Sequence, residues 1–147
     1  MSTEITIVVD SREKKPLPIS YPIVRAALKY GDYAVQGREG VVAIEWKSAW
    51  DWVSCCRSKA NRARLERQVK DLVDNVRCPL LVVELPPPEY VVAQKFPGFK
   101  RQFCVDEIMR TARTETDIGR FITVFPVMNR LDAAILIEYW LFKWLKD

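Results

Sequence analysis

Residues 31–51 read GDYAVQGREGVVAIEWKSAWD. Two mainly apolar segments in this stretch, Tyr33–Val35 and Val41–Trp46, lie on either side of a turn over 36–40 that contains two glycines. This pattern predicts a pair of neighbouring strands. Strands and helices are predicted to alternate after residue 41, so we expect an α/β fold in which helices cover a mixed β-sheet on both faces.

Acidic side chains and one lysine accompany these strands at a spacing that suits metal-dependent hydrolysis of a phosphodiester. Asp32 precedes the first strand, Glu45 lies in the otherwise apolar second strand, and Asp51 follows six residues later. A buried carboxylate needs a partner, and two carboxylates can hold Mg²⁺ or Mn²⁺ through oxygen. Side chains alternate along a strand, so Lys47 shares the face of Glu45, where it would orient the attacking water, and Trp46 packs on the opposite face.

Three short blocks lie in order along the chain and complete this pattern. They are Val9-Asp10-Ser11-Arg12-Glu13, then Gly31-Asp32 with Glu45-Trp46-Lys47-Ser48-Ala49-Trp50-Asp51, then Arg64-Leu65-Glu66-Arg67-Gln68. Together they resemble the VDxRE, GD…ERKxxxD and RLxxQ motifs of the nuclease domain of XPF/Hef structure-specific endonucleases. The order and spacing fit nearly the whole chain, with the C-terminal third matching only in pattern. Trp46 stands where that family usually has arginine.

This resemblance implies a restriction-endonuclease-like fold and cleavage of branched DNA (flaps, forks or junctions) in DNA repair or recombination. It implies catalytic roles for Asp10, Asp32, Glu45, Lys47 and Asp51. It also implies that Mg²⁺ or Mn²⁺ is held by Asp10, Asp32, Glu45 and the backbone of Trp46. The chain resembles the compact versions that phages and other mobile elements carry.

Basic residues are concentrated just after the motif. Residues 57–70 contain six basic residues against one acidic residue, whereas the whole chain has a net charge of +4. A basic patch beside a metal site suggests a phosphate-backbone partner, although a solvated helix face would show the same composition. The candidate DNA contacts are Arg12, Arg57, Lys59, Arg62, Arg64 and Gln68. Whether the basic loop 95–102 also touches DNA is left open.

Composition excludes several other classes of protein. The chain has no histidine, which removes histidine-metal nucleases and Ser-His-Asp or Cys-His hydrolases, and its four cysteines have no CxxC spacing, which disfavours zinc. No apolar run could span a bilayer, and no signal peptide is recognisable. We therefore expect an intracellular protein with one nuclease domain over 1–147 and no helix-hairpin-helix module.

Helix signals complete the expected fold. Ser48 is the predicted N-cap of a helix over 49–56, and Asn61 the predicted N-cap of the next helix. We expect a helix over 105–114, a strand over 121–125 and a long helix over 131–146. This last helix is apolar nearly all round, so one face would remain exposed in a monomer. It therefore predicts a homodimer, which the resemblance also implies.

Two alternatives remain open at this level. The chain could be a catalytically weak or inactive DNA-binding partner subunit, for which Trp46 is the one argument. It could also be a junction resolvase of the wider group of nucleases that share an acid and an acid-x-Lys motif. The blocks that begin at Asp10 and Arg64 favour the XPF type over this second alternative.

Overall fold

The computed structural model describes residues 4–146, and within them six strands form one mixed sheet. The strands are β1 (Ile7–Asp10), β2 (Ile23–Ala26), β3 (Tyr33–Val35), β4 (Val42–Lys47), β5 (Cys78–Glu84) and β6 (Val124–Val127). Their order is β2-β1-β3-β4-β5-β6. β3 is antiparallel to both of its neighbours, whereas the other adjacent pairs are parallel. The predicted strand pair around the turn over 36–40 is therefore confirmed as β3 and β4.

Helices follow the strands in this described part of the chain. They are α1 (Ala49–Arg57), α2 (Lys59–Asn75), α3 (Glu89–Lys95), α4 (Arg101–Ala112), α5 (Asp117–Phe121) and α6 (Arg130–Lys143), and a 3₁₀ turn (Trp144–Lys146) continues α6. The strand predicted over 121–125 is wrong at its start, because Phe121 closes α5. Thr116 caps that short helix by accepting a hydrogen bond from the Gly119 amide.

Serine residues begin the two helices that lie next to the motif. The Ser48 hydroxyl accepts a hydrogen bond from the amide of Asp51, so the predicted cap of α1 is confirmed. The predicted cap of α2 is wrong. Ser58 occupies that position and accepts from the Asn61 amide at 3.2 Å, which places Asn61 inside the first turn. Because the Ser58 side chain already caps the amides at the start of α2, the helix begins three residues before Asn61 could act as its cap.

Two apolar cores lie on opposite faces of the sheet. One face, which includes Val8, Ala43 and Leu81, is covered by α1, α2, α4 and α5. The other face includes Ile44 and Trp46 and is covered mainly by α6. The prediction that Trp46 packs on the face opposite Glu45 and Lys47 is therefore confirmed.

α6 is apolar on two sides. Ala133, Ala134, Ile137 and Leu141 are buried against the sheet. Leu131, Ile135 and Tyr139 are spaced four residues apart and are exposed along a second face. None of the helices within residues 4–146 is long and apolar enough to cross a membrane.

Candidate active site

The ends of three central strands bring the predicted catalytic groups to one pocket. Asp10 ends β1, Asp32 directly precedes β3, and Glu45 and Lys47 lie at the end of β4. The pocket has a volume of about 900 Å³. Seven residues expected to contribute to the site line it, namely Asp10, Arg12, Asp32, Glu45, Lys47, Asp51 and Gln68. Residues as far apart in the sequence as Asp10 and Gln68 thus line one pocket at the ends of these strands.

Backbone hydrogen bonds hold Asp32 against β4. The amide of Asp32 donates to the carbonyl of Ile44 at 2.7 Å, and the amide of Trp46 donates to Asp32 Oδ2 at 2.8 Å. Gly31 permits this approach, because its φ is +79° and a Cβ there would lie 3.0 Å from the Ile44 carbonyl oxygen. Asp32 is therefore attached to β4 on both sides of Glu45, which places the two carboxylates together.

Burial raises the pKa of both carboxylates, and the charge of Asp32 raises that of Glu45 further. Burial raises the pKa of Asp32 from its ordinary value of 3.8 to about 7, although the amide of Trp46 and the charge of Lys47 lower it. Glu45 is only 7% exposed, and burial followed by the charge of Asp32 raises its pKa well above the ordinary value. The nearby charge of Glu13 raises both pKa values further. Such a pair holds a proton or requires a cation.

Asp10 lies in the same pocket with a different set of partners. Its two carboxylate oxygens accept hydrogen bonds from Arg12 Nε and from the Leu28 amide, both at 2.9 Å. Arg12 also donates to the Leu28 carbonyl at 3.0 Å, and its side chain remains 75% exposed. Hydrogen bonding to Asp10 raises the pKa of Arg12, so the guanidinium stays charged. Asp10 thus fixes a cation at the rim of the pocket.

A three-acid metal cage is not assembled by the residues that the structure describes. Among residues 4–146, no group of three Asp, Glu, Cys or His side chains is arranged to hold a metal ion. Asp10 accepts hydrogen bonds from Arg12 and from the Leu28 amide, and its role as a metal ligand beside Asp32 and Glu45 stays a prediction. The amide of Trp46 bonds to Asp32, and a metal contact from the carbonyl of Trp46 stays a prediction.

The predicted DNA contacts of α1 and α2 are not all at the pocket. Gln68 lines it, whereas Arg57, Lys59 and Arg64 are exposed on other parts of the surface. Arg62 is half-buried and forms a 2.9 Å ion pair with Glu107 of α4. Its guanidinium is thus engaged within the protein, and the helix pattern alone gave no sign of this partner.

The sequence patterns missed several other residues that line the pocket. Glu84 ends β5 and accepts a hydrogen bond from the Ala49 amide at 3.0 Å, so it supports the start of α1. Asp71 and Lys29 lie at the rim, as does Arg130, which donates to two backbone carbonyls of the loop after β1. The one sequence pattern that could have identified any of these residues is an acid at the end of an apolar strand, as at Glu84.

No protein-family model and no curated protein sequence matches the chain. Solved structures do match, among them XPF from Aeropyrum pernix, with a TM-score of 0.66 and 19% identity, and XPF from Aeropyrum pernix in complex with DNA, with a TM-score of 0.65 and 22% identity. These matches cover 97% and 96% of this chain.

The chain has the XPF fold. It spans 62% and 65% of the lengths of the two XPF chains it matches. The predicted α/β class, with a restriction-endonuclease-like mixed sheet, is thereby confirmed. In this XPF fold, Asp32, Glu45 and Lys47 line the pocket at the ends of the central strands.

Proposed function

We propose that the chain is a divalent-metal-dependent DNA endonuclease that hydrolyses phosphodiesters in branched DNA. The observation that carries this proposal is the adjacent carboxylate pair of partly buried Asp32 and buried Glu45, with Lys47 on the same strand face as Glu45 and in the same pocket. One of the matching XPF structures is a complex with DNA, which supports DNA as the substrate.

The residues of the pocket fit a hard divalent cation. Asp32 and Glu45 offer oxygen donors, and the raised pKa of both groups reflects a need for positive charge that Lys47 only partly meets. Mg²⁺ commonly uses one or two protein carboxylates and completes its shell with water and substrate phosphate. Two acids are therefore a sufficient protein contribution. When bound, such a cation supplies charge stabilisation at the phosphate and activation of water.

Other side chains of the pocket would bind and orient the DNA. Lys47 lies beside the carboxylate pair, where its amine can position the nucleophilic water or the scissile phosphate. Arg12, fixed by Asp10, offers a guanidinium for a phosphate oxygen. Lys14, Lys15, Lys29 and Arg130 also line the pocket, alongside its acids. These cations can contact a phosphate backbone. Asp51 lines the same pocket, and its assisting role is part of the proposal.

An inactive partner subunit is the weaker alternative. The side chain of Trp46 is 4% exposed and packs in the core beneath α6, so it does not occupy the space of any acid or lysine of the pocket. Its amide meanwhile holds Asp32 in place. Trp46 therefore leaves the chemical groups of the site intact, which supports an active enzyme.

Cleavage of a labelled 3′-flap DNA with Mg²⁺ or Mn²⁺ tests the proposal. Wild type should cut the flap, and Asp32→Ala should not, while both bind the DNA. Asp106→Ala is the control, since Asp106 is an exposed acid of α4 outside the pocket. A four-way junction and a plain duplex of the same sequence separate flap cleavage from junction resolution. Absence of cutting by wild type, with DNA still bound, would favour the inactive partner.

We also propose that a second copy of the chain covers the exposed face of α6. Leu131, Ile135 and Tyr139 form this apolar face, and Phe125 and Met128 of the neighbouring β6 region are also exposed. Monomeric proteins rarely leave a large apolar patch open to water. The homodimer predicted for the region 131–146 would bury this surface.

Light scattering of wild type tests the dimer. We expect a mass of two chains, and Ile135→Glu should reduce it to one chain. Phe121→Glu is a matched control, because Phe121 has similar exposure on α5. A wild-type mass equal to one chain at all concentrations would contradict the dimer.

A further inference from the structure

Aromatic side chains form a cluster beside the catalytic pocket. The proposed hydrolysis does not require this cluster. The cluster consists of Trp50 on α1, Phe96 and Phe99 in the loop after α3, and Phe103 on α4. The rings of Trp50 and Phe96 are 6.0 Å apart, and those of Phe96 and Phe99 are 6.5 Å apart. Phe103 is 53% exposed, whereas the other three rings are partly buried.

Cations lie over these rings. Lys95 Nζ is 5.1 Å from the centre of the Trp50 ring. The guanidinium of Arg57 is 4.8 Å from the centre of the Phe96 ring and 5.7 Å from that of Phe99. Arg57 and Lys95 are nevertheless exposed to solvent. Their charges are thus held at the aromatic surface and remain available to a ligand.

A groove runs along the outer part of the cluster. It has a volume of about 400 Å³ and is lined by Arg57, Phe99, Lys100 and Phe103, together with Cys56 and residues 97–98. No acidic side chain lines it within the described residues. The nearest acidic partner is Glu89, whose carboxylate is 4.0 Å from Lys100 and well exposed. The groove therefore combines apolar rings with net positive charge.

α1 connects this groove to the catalytic pocket. Trp50 lines the pocket at the start of the helix, and Arg57 lines the groove at its end. Seven residues of α-helix span about 10 Å, close to the length of three nucleotides stacked at about 3.4 Å. A DNA strand that leaves the pocket along α1 would therefore reach the groove within a few nucleotides.

We propose that the aromatic cluster and its groove bind an unpaired DNA strand, with bases stacked on the exposed rings and phosphates paired with Arg57, Lys95 and Lys100. This inference rests on the proposed function, since it assigns the single-stranded arm of the branched substrate to a definite surface. Bases inside a duplex are already stacked and cannot reach these rings, whereas unpaired bases can. Packing of Phe96 and Phe99 against the core explains neither the exposure of Phe103 nor its place in a groove with Arg57 and Lys100.

Binding of a fluorescein-labelled ten-nucleotide oligothymidine, measured by anisotropy in EDTA, tests the inference. Phe103→Ala should weaken this binding about five- to hundredfold, because that is the typical contribution of one base stacked on an aromatic ring. Lys100→Glu, at an exposed position, should weaken this binding as well. The loss for oligothymidine should exceed the loss for a blunt duplex at least about fivefold.

Two controls make the result specific. Phe121→Ala removes a phenylalanine of matched exposure on α5, outside the groove, and should leave oligothymidine affinity unchanged. Phe103→Trp keeps an aromatic ring and should retain the affinity of wild type. Wild-type affinity in both Phe103→Ala and Lys100→Glu, or equal losses for oligothymidine and duplex, would overturn the inference.

Cleavage assays on the same samples separate this inference from the proposed function. If wild type binds oligothymidine through Phe103 but cuts no DNA with Mg²⁺ or Mn²⁺, the endonuclease proposal fails and the strand-binding surface stands. If wild type cuts the flap while Phe103→Ala binds oligothymidine normally, the endonuclease stands and the inference fails.

Discussion

Two buried acidic sites in this chain are stabilised in opposite ways. Glu107 on α4 is 6% exposed and receives ion pairs from Arg62 at 2.9 Å and Arg110 at 2.7 Å. Glu45 is 7% exposed and faces another carboxylate, that of Asp32. The chain itself supplies the counter-charge at Glu107, whereas at Glu45 it supplies Lys47 alone against two acids. Under the proposed function, this difference marks Glu107 as a structural acid and Glu45 as an acid that would bind an external cation.

The largest expected difference between the two sites is in the cleavage rates of the matched variants Glu45→Gln and Glu107→Gln. Glu45→Gln should reduce the cleavage rate at least about a hundredfold, since metal-ion catalysis contributes several kcal/mol and about 1.4 kcal/mol corresponds to a factor of ten. Glu107→Gln should leave cleavage within about threefold of wild type below its melting temperature. The measurement is the single-turnover rate on the 3′-flap. Equal losses in both variants would show that Glu45 acts through the fold alone.

The stability of the metal-free protein should fall as pH rises. The pKa of Asp32 is raised from 3.8 to about 7 in the folded chain, so the folded state binds a proton that the unfolded state releases. The contribution is complete below about pH 4 and is lost as pH rises through about 7. It amounts to at most about 4 kcal/mol. Urea unfolding in EDTA between pH 5 and pH 8 measures it, and Asp32→Asn should flatten the slope.

Glu107→Gln and Glu45→Gln should also differ in their effect on the free energy of unfolding. Glu107→Gln removes the carboxylate closest to Arg62 and Arg110 and should lower the free energy of unfolding by about 3 kcal/mol. At pH 8 in EDTA, Glu45→Gln removes a carboxyl group whose charged form is disfavoured by burial and by Asp32, and it should maintain or raise stability. Urea midpoints at one pH compare them directly. A large loss for Glu45→Gln would mean that its carboxylate is satisfied within the chain.

Mg²⁺ should stabilise the folded chain at the Asp32–Glu45 pair and not elsewhere. A ligand at a hundred times its Kd raises the free energy of unfolding by about 2.7 kcal/mol. The effect should be larger at pH 8 than at pH 5.5, because protons compete for the same carboxylates at low pH. Thermal melts with and without Mg²⁺ test this in wild type and in Glu45→Gln, which should lose the effect. Glu107→Gln should retain it.

Short-range patterns predicted the strand pair, the cap of α1 and the grouping of Asp32, Glu45 and Lys47. These features depend on alternation along strands and on turn and cap chemistry, which neighbouring residues determine. The choice of Ser58 over Asn61 as the cap of α2 was missed, because both residues have suitable side chains within three positions.

Long-range partners could not be predicted in the same way. The pairing of Arg62 with Glu107 joins residues 45 positions apart, and the contact of Glu84 with the Ala49 amide joins residues 35 apart. No local periodicity reports such contacts, so Arg62 was expected among the free cations of α2. The engagement of Asp10 by Arg12 was equally hidden, since a sequence does not show which acid a neighbouring cation selects.

The attachment of Asp32 to the backbone of β4 has a consequence for chain engineering. The site lies at one end of the β3–β4 pair, and the exposed turn over 36–40 lies at the other, with the register Tyr33↔Ile44 and Ala34↔Ala43 between them. The hydrogen bonds between β3 and β4 set the distance between the two carboxylates. The length of the turn therefore does not affect this distance. A peptide tag or fluorophore sequence inserted between Gly37 and Gly40 should thus be accommodated without separating Asp32 from Glu45.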